Sequence, residues 1–244
     1  MGIIPFNTMI FPTPLLPARM IRRYKRFLAD VEFDDGSVKT VHVPNTGSML
    51  GCVIPGSRVW LSDSGLDTRK YPMTWELLEL GDTWIGVNTH RANELVREAM
   101  EHGVLRALSG YPEYRREVGY GEEGSRIDWL LTEHEGANPC YVEVKNVTAA
   151  VDSGIALFPD AISQRATRHL RELVRQVQAG HRAVIVFCVQ RNDVTEVRPA
   201  DTIDPEYGKA LREALGQGVE ALACCATLSS QEIILKTEIP VVCP

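Results

Sequence analysis

Two stretches on either side of a polar loop alternate as strands do: Ser125 to Leu131, and Cys140 to Val147. β-branched and aromatic residues fill both arms, while Gly, Asn and Pro gather between them, which predicts a β-hairpin. Side chains alternate across a strand, so Tyr141, Glu143 and Lys145 share one face and Val142 and Val144 take the other. With Leu131 opposite Cys140, the register sets Asp128 across from Glu143, and cross-strand neighbours have Cβ atoms only about 5 Å apart.

The pattern upstream is all β. From Phe27 to Leu80, strand-like runs (Val38, Val41 and Val43; Val59 to Leu61; Trp75 to Leu80) alternate with turn signals at Asp34-Asp35-Gly36-Ser37, Pro55-Gly56 and Ser64-Gly65. These elements predict a domain over residues 1–84 built as a small antiparallel β-barrel with an extended N-terminal arm through about residue 18, where four prolines exclude helix. Between Gly81 and Asn88 the strand pattern gives way to a helical one. Ala92, Leu95, Val96, Ala99 and Met100 form one stripe, with Gly103 as a stop.

Beyond the hairpin, Pro159-Asp160-Ala161 is expected to open a second helix, with Ala166, Leu170, Leu173, Val174 and Val177 inward and Gly180 closing it. Ala183 to Val189 is an unbroken apolar run, as expected of a strand covered on both faces. A third helix from Asp204-Pro205-Glu206 and strands at Val219 to Thr227 and Ile233 to Ile239 complete residues 85–244 as an α/β domain around a mixed central sheet.

Composition narrows the function classes. Of the 244 residues, 44% are hydrophobic and 24% charged, as in an ordinary soluble globular protein. The net charge of −6 counts against coating nucleic acid nonspecifically, because Lys and Arg dominate such binding. Six cysteines without a Cys-x-x-Cys pair suit reduced thiols in a cytoplasmic protein. The proline-broken N-terminus reads as neither signal peptide nor membrane span. No Gly-x-Gly-x-x-Gly leads from a strand into a helix and no Walker loop is present, so no nucleotide cofactor is expected, and the scattered histidines lack zinc spacing.

The hairpin carries the candidate chemistry. Facing carboxylates at Asp128 and Glu143 repel unless a hard cation lies between them, and Mg²⁺ (or Mn²⁺) takes oxygen ligands of this kind while leaving positions open for phosphate. Lys145 would sit beside it, able to orient a nucleophile or offset charge building on phosphorus. On the helix before the hairpin, Glu98 is the expected third metal ligand, with Glu94 as the alternative. Glu117 is either a further ligand or an ordinary strand-surface charge. Arg165 and His169, one helical turn apart, can clamp a phosphate or form part of a basic solvated flank. The run Arg19 to Phe27 mixes cations with aromatics: Arg22, Arg23, Tyr24 and Arg26 suit nucleic-acid contact, and equally a solvated strand face. Asn45 and Thr46, in Asn45-Thr46-Gly47-Ser48, can offer amides and hydroxyls to phosphate or merely join two strands.

An Asp heading one strand and Glu-x-Lys on the next resemble the PD-(D/E)xK nuclease core, although Ile127 stands where proline is usual. More specifically, Ser125-Arg126-Ile127-Asp128, Tyr141 to Val147, Leu157-Phe158-Pro159-Asp160-Ala161, Pro44 to Met49 and Arg22 to Phe27 resemble the sugar fermentation stimulation protein A (SfsA) family over nearly the whole chain. That resemblance implies an OB-like N-terminal domain that binds DNA and a nuclease-like C-terminal domain. Two functions follow as expectations: metal-dependent DNA cleavage, or DNA binding without cleavage in a regulator of sugar use.

Overall fold

Short strands with small or β-branched inward residues curl readily into a closed barrel, and five do so in this computed structural model, which describes residues 9–66, 68–151 and 154–244. They are β2 (Leu16–Tyr24), β3 (Leu28–Glu32), β4 (Val38–His42), β5 (Arg58–Asp63) and β6 (Met73–Leu80). The order β4-β3-β2-β5-β6 closes through a parallel β4–β6 contact at His42 and Thr74, while β7 (Thr83–Gly86) extends β6. Met20, Val31, Val41, Val59, Leu61 and Trp75 fill the interior. This is the expected OB-like barrel. The basic run is not one strand, however: β2 ends at Tyr24, and Lys25 and Arg26 turn with positive φ into β3.

The extended arm joins the other sheet. Of its residues, 1–8 lie outside those described, and β1 (Met9–Ile10) pairs antiparallel with the last strand, β16 (Glu232–Ile239). Between them in sequence come α1 (Ala92–Glu101), β8 (Glu113–Tyr120), β9 (Ser125–Thr132), β10 (Cys140–Val147), β11 (Ala150–Val151), β12 (Ile155–Phe158), α2 (Gln164–Gln178), β13 (Arg182–Val189), β14 (Glu196–Pro199), α3 (Pro205–Gly216) and β15 (Glu220–Leu228). Seven strands form the mixed sheet β1-β16-β15-β13-β10-β9-β8, parallel at β10–β13–β15 and antiparallel elsewhere. Helix α1 covers one face and α2 with α3 the other, each over its own apolar cluster. The second helix starts later than its Pro-Asp-Ala signal: Ser163 is its N-cap, its hydroxyl accepting from Ala166 N–H, and Asp160 is left free to turn toward the barrel.

Barrel and sheet are joined by backbone. Ile85 bridges Arg191, Gly86 N–H donates to Gln190 O at 2.7 Å, and Asn192 reaches both Trp84 N–H and Asp82 O. The fully buried Gln190 side chain donates to Asn88 O at 3.2 Å and lies so close to Gly86 that a Cβ there would sit 2.4 Å from its Oε1 and 3.1 Å from its Cβ. Gly86→Ala should therefore lower stability by about 1–3 kcal/mol, the usual cost of overpacking a tight site. Urea denaturation measures it, and an unchanged midpoint would show that the joint yields without cost.

Candidate functional site

The predicted hairpin register is present: Leu131 pairs with Cys140 and Trp129 with Val142. Regular pairing then stops, one position short of Asp128. Residues two apart on a strand normally share a face, yet Ile127 packs under α2 and Trp129 under α1. The neighbouring strand changes face at the same level, where Glu117 has φ +53° and points to solvent. A coupled irregularity of this kind re-aims a side chain. Asp128 is thereby not a simple cross-strand partner of Glu143: its Oδ2 accepts the backbone N–H of Val144 at 2.7 Å, and its Oδ1 accepts Asn93 Nδ2 of α1 at 2.9 Å.

Glu143 points to the other side, toward α2, and is 3% exposed. Lys145 Nζ donates to its Oε1 at 2.6 Å, and His169 Nδ1 meets the same oxygen. Arg165 Nε–H points at His169 Nε2 at 3.4 Å, so the ring is held from both sides. Burial disfavours the Glu143 anion, but Lys145 and His169 outweigh it and hold the pKa below the ordinary glutamate value. Asp128 moves the other way, raised by burial first and then by the Glu143 charge. The other Glu143 oxygen, Oε2, is buried without a protein partner. A buried carboxylate oxygen with an open lone pair beside a second carboxylate fits a divalent cation, although among the described residues no three acidic, His or Cys side chains cluster for one.

Several expected participants lie elsewhere. Glu98 is five residues from Asn93, about 140° around the helix, and faces β1, where its Oε2 accepts Met9 N–H at 3.0 Å. It is an anchor for the N-terminal strand, not a partner of Asp128. Glu94, the alternative, is engaged by Arg97. His169 is 3% exposed and spent on Glu143, so the phosphate clamp reduces to the exposed Arg165. On the barrel, Arg22 pairs with Asp30 at 2.8 Å, Tyr24 OH donates to the same carboxylate, and Arg23 donates to the carbonyls of Asn45 and Gly47. Asn45 is buried, its Oδ1 accepting Gly47 N–H. Thr46 and Arg26 remain exposed, and both line a groove of about 350 Å³ between barrel and sheet.

Pattern reasoning missed Asn93 and Tyr120. The Tyr120 hydroxyl is buried and unpartnered, its pKa raised by burial and then by Glu143, Glu172 and Asp128. No spacing rule marks an Asn on a helix stripe as a carboxylate's partner. Tyr120 ends a strand and carries no motif, so only the fold brings it there.

An OB barrel fused to a mixed-sheet domain that carries an Asp, Glu-x-Lys hairpin defines the class of this two-domain fold. Two family models match: "SfsA N-terminal OB domain" over residues 21–87 and "Sugar fermentation stimulation protein RE domain" over residues 90–232. The chain belongs to the SfsA family. Among its relatives, a sugar fermentation stimulation protein homolog of Alkalilimnicola ehrlichii is 56% identical over 97% of this chain and all of that protein. One from Halorhodospira halophila is 58% identical over 88% and 90%. The solved structure of Pyrococcus furiosus SfsA in complex with Ca²⁺ superposes with a TM-score of 0.85 at 28% identity, covering 96% of this chain and 99% of that one. Among the described residues no helix is long and apolar enough to cross a membrane.

The raised Asp128 pKa sets a sign. Its ionisation opposes folding, so the parent loses stability as pH rises from the unfolded aspartate value, about 3.9, through the higher folded one, and the loss persists at neutral pH. Asp128→Asn removes that penalty, and Asn93 can turn its unpartnered Oδ1 toward the new amide. Without divalent cations, the variant should match or exceed the parent by up to about 1 kcal/mol at pH 7, with the advantage shrinking toward pH 4. Thermal unfolding across pH tests this; a variant clearly less stable at pH 7 would refute it.

Proposed function

We propose that this protein is a metal-dependent nuclease that hydrolyses DNA phosphodiesters, gripping the strand with its OB barrel. The observation that carries the reading is Glu143, a buried anion whose Oε2 has no protein donor and whose charge reaches Asp128, with Lys145 Nζ 2.6 Å from its other oxygen. Asp128 and Glu143 would hold Mg²⁺ or Mn²⁺, which supplies Lewis acidity at the phosphoryl group. The Ca²⁺ named with the Pyrococcus furiosus relative is in keeping with an oxygen-rich cation site.

The chain's own groups then divide the work. His169 fixes the orientation of Glu143 and keeps it ionised. Lys145, an ammonium with no lone pair, cannot ligate a cation and instead donates toward charge that develops on phosphoryl oxygens. Arg165, exposed beside His169, is within reach of an adjoining phosphate. A second reading, a DNA-binding regulator of sugar use that does not cut, draws on the relatives' names and on Lys145 being held by Glu143 in the free protein.

A panel of single-stranded, duplex and branched DNA and RNA, with and without Mg²⁺ or Mn²⁺, separates the two. Metal-dependent cleavage is expected, and Lys145→Met should bind DNA within a few-fold of the parent yet cut about 10²–10³-fold more slowly, the cost of one preorganised donor. Independently of activity, millimolar Mg²⁺ should raise the melting temperature of the parent and not that of Asp128→Asn. No cleavage of any substrate, or equal rates for Lys145→Met, would leave the binding reading in its place.

A further inference from the structure

The loop between β4 and β5 is shaped by its own residues. Asn45 Oδ1 accepts Gly47 N–H at 2.9 Å, and the Arg23 guanidinium donates to the carbonyls of Asn45, Gly47 and Ser48 at 2.8, 2.9 and 3.3 Å. With its carbonyls gathered on an arginine, the loop presents donors on the side facing the mixed sheet. An acid from that sheet's domain takes them. Asp160 Oδ2 accepts Met49 N–H at 2.9 Å and the Ser48 hydroxyl at 3.3 Å. Its carboxylate packs so closely on Gly47 that a Cβ there would lie 2.5 Å from both oxygens. A backbone amide and a hydroxyl converging on one anionic oxygen are donors that a phosphate oxygen can use as well.

The surroundings are those of a strand path. The contact lies in the 350 Å³ groove between the two domains, whose walls include Arg26, Thr46, Asn146, Thr148 and Ser163. Among the described residues Arg26 forms no ion pair. Ser163 caps the 15-residue α2, whose positive dipole end therefore opens into the groove. Asn146 and Thr148 follow Lys145 on the same strand or just past it, so at about 3.3 Å per residue the groove begins within roughly 3–10 Å of the carboxylate site.

We propose that the Gly47–Met49 loop and Arg26 form a phosphate subsite for a nucleic-acid strand, and that Asp160 is an internal anion that fills it until the strand displaces it. The proposal rests on the nucleic-acid reading above and adds a subsite and a self-occupied resting state to it. A strand must remove Asp160 before gaining the loop's donors, which weakens its binding and selects for strands that also engage the carboxylate site.

The test compares the parent with Asp160→Ala, Asp160→Asn and, as a charge control at the far hairpin loop, Glu135→Gln. Asp160→Asn retains an acceptor for Met49 N–H and so guards against misfolding in the alanine variant. Two readouts are taken without divalent cations: backbone amide NMR shifts of residues 47–49 during titration with inorganic phosphate, and anisotropy of a labelled single-stranded oligonucleotide over a salt series. In Asp160→Ala the Ser48 and Met49 amides should shift saturably with phosphate while the parent's stay still. Oligonucleotide affinity should rise about tenfold, with a salt slope steeper by roughly the 0.7 expected for one more phosphate, Asp160→Asn falling between and Glu135→Gln matching the parent. If the parent binds the oligonucleotide but the Asp160 variants gain no more than Glu135→Gln, or their amides ignore phosphate, Asp160 is only a latch between domains and the proposal is overturned. If no variant binds the oligonucleotide while the Asp160→Ala amides still answer phosphate, the anion subsite stands and the nucleic-acid reading falls.

Discussion

A carboxylate buried as deeply as Glu143 is tolerable only if its charge is answered nearby, because an unpaired ion in the interior costs several kcal/mol or more. Lys145 on the same strand and His169 on α2 supply that answer, and both converge on one oxygen. This fixes how α2 lies against β10. It also fixes what is left over: the second oxygen, and an Asp128 whose own ionisation is opposed by its neighbour. The polar centre of the sheet domain is therefore unbalanced in the absence of ligand, with more acceptor than donor, and its geometry is maintained by apolar clusters on both sides of the sheet.

The joint between the domains has a different character. It consists of short backbone pairings from β7 to the segment after β13, sealed by a buried glutamine, and of the Asp160 contact across the groove. The first has little room to shift, since a single methyl at Gly86 would strike Gln190. The second is one carboxylate at the margin of a groove.

Much of this was legible in the sequence, and the reasons differ by element. The barrel followed from turn residues with specific φ demands, and the hairpin from its two strand-like arms, whose pairing of Leu131 with Cys140 the structure keeps. That Glu143 and Lys145 share a face was visible because strand alternation is a strict rule. That same strictness misled at Asp128, where both β8 and β9 change face at a kink that alternation cannot foresee. Glu98 looked like a ligand because helix periodicity tells which residues flank a stripe, but not that an N-terminal strand would come to lie beside it. Arg23 read as a surface cation, since nothing local reveals that three carbonyls from residues more than twenty positions on will surround it.

The short strand β1 has a consequence for how the chain is made. Met9 pairs with Ile233, a separation of 233 − 9 = 224 positions, so this strand must wait for β16 to be made before its hydrogen bonds can form. The barrel, whose pairings all lie within residues 16–86, can close early. The mixed sheet cannot complete its edge until β16 has been made, and contacts of such long range form slowly. During that interval β16's partner strand is tethered in front of an already folded barrel. The order of birth thus runs opposite to the order of closure, and the amino-terminal arm acts as the final clasp on the domain that carries the chemistry.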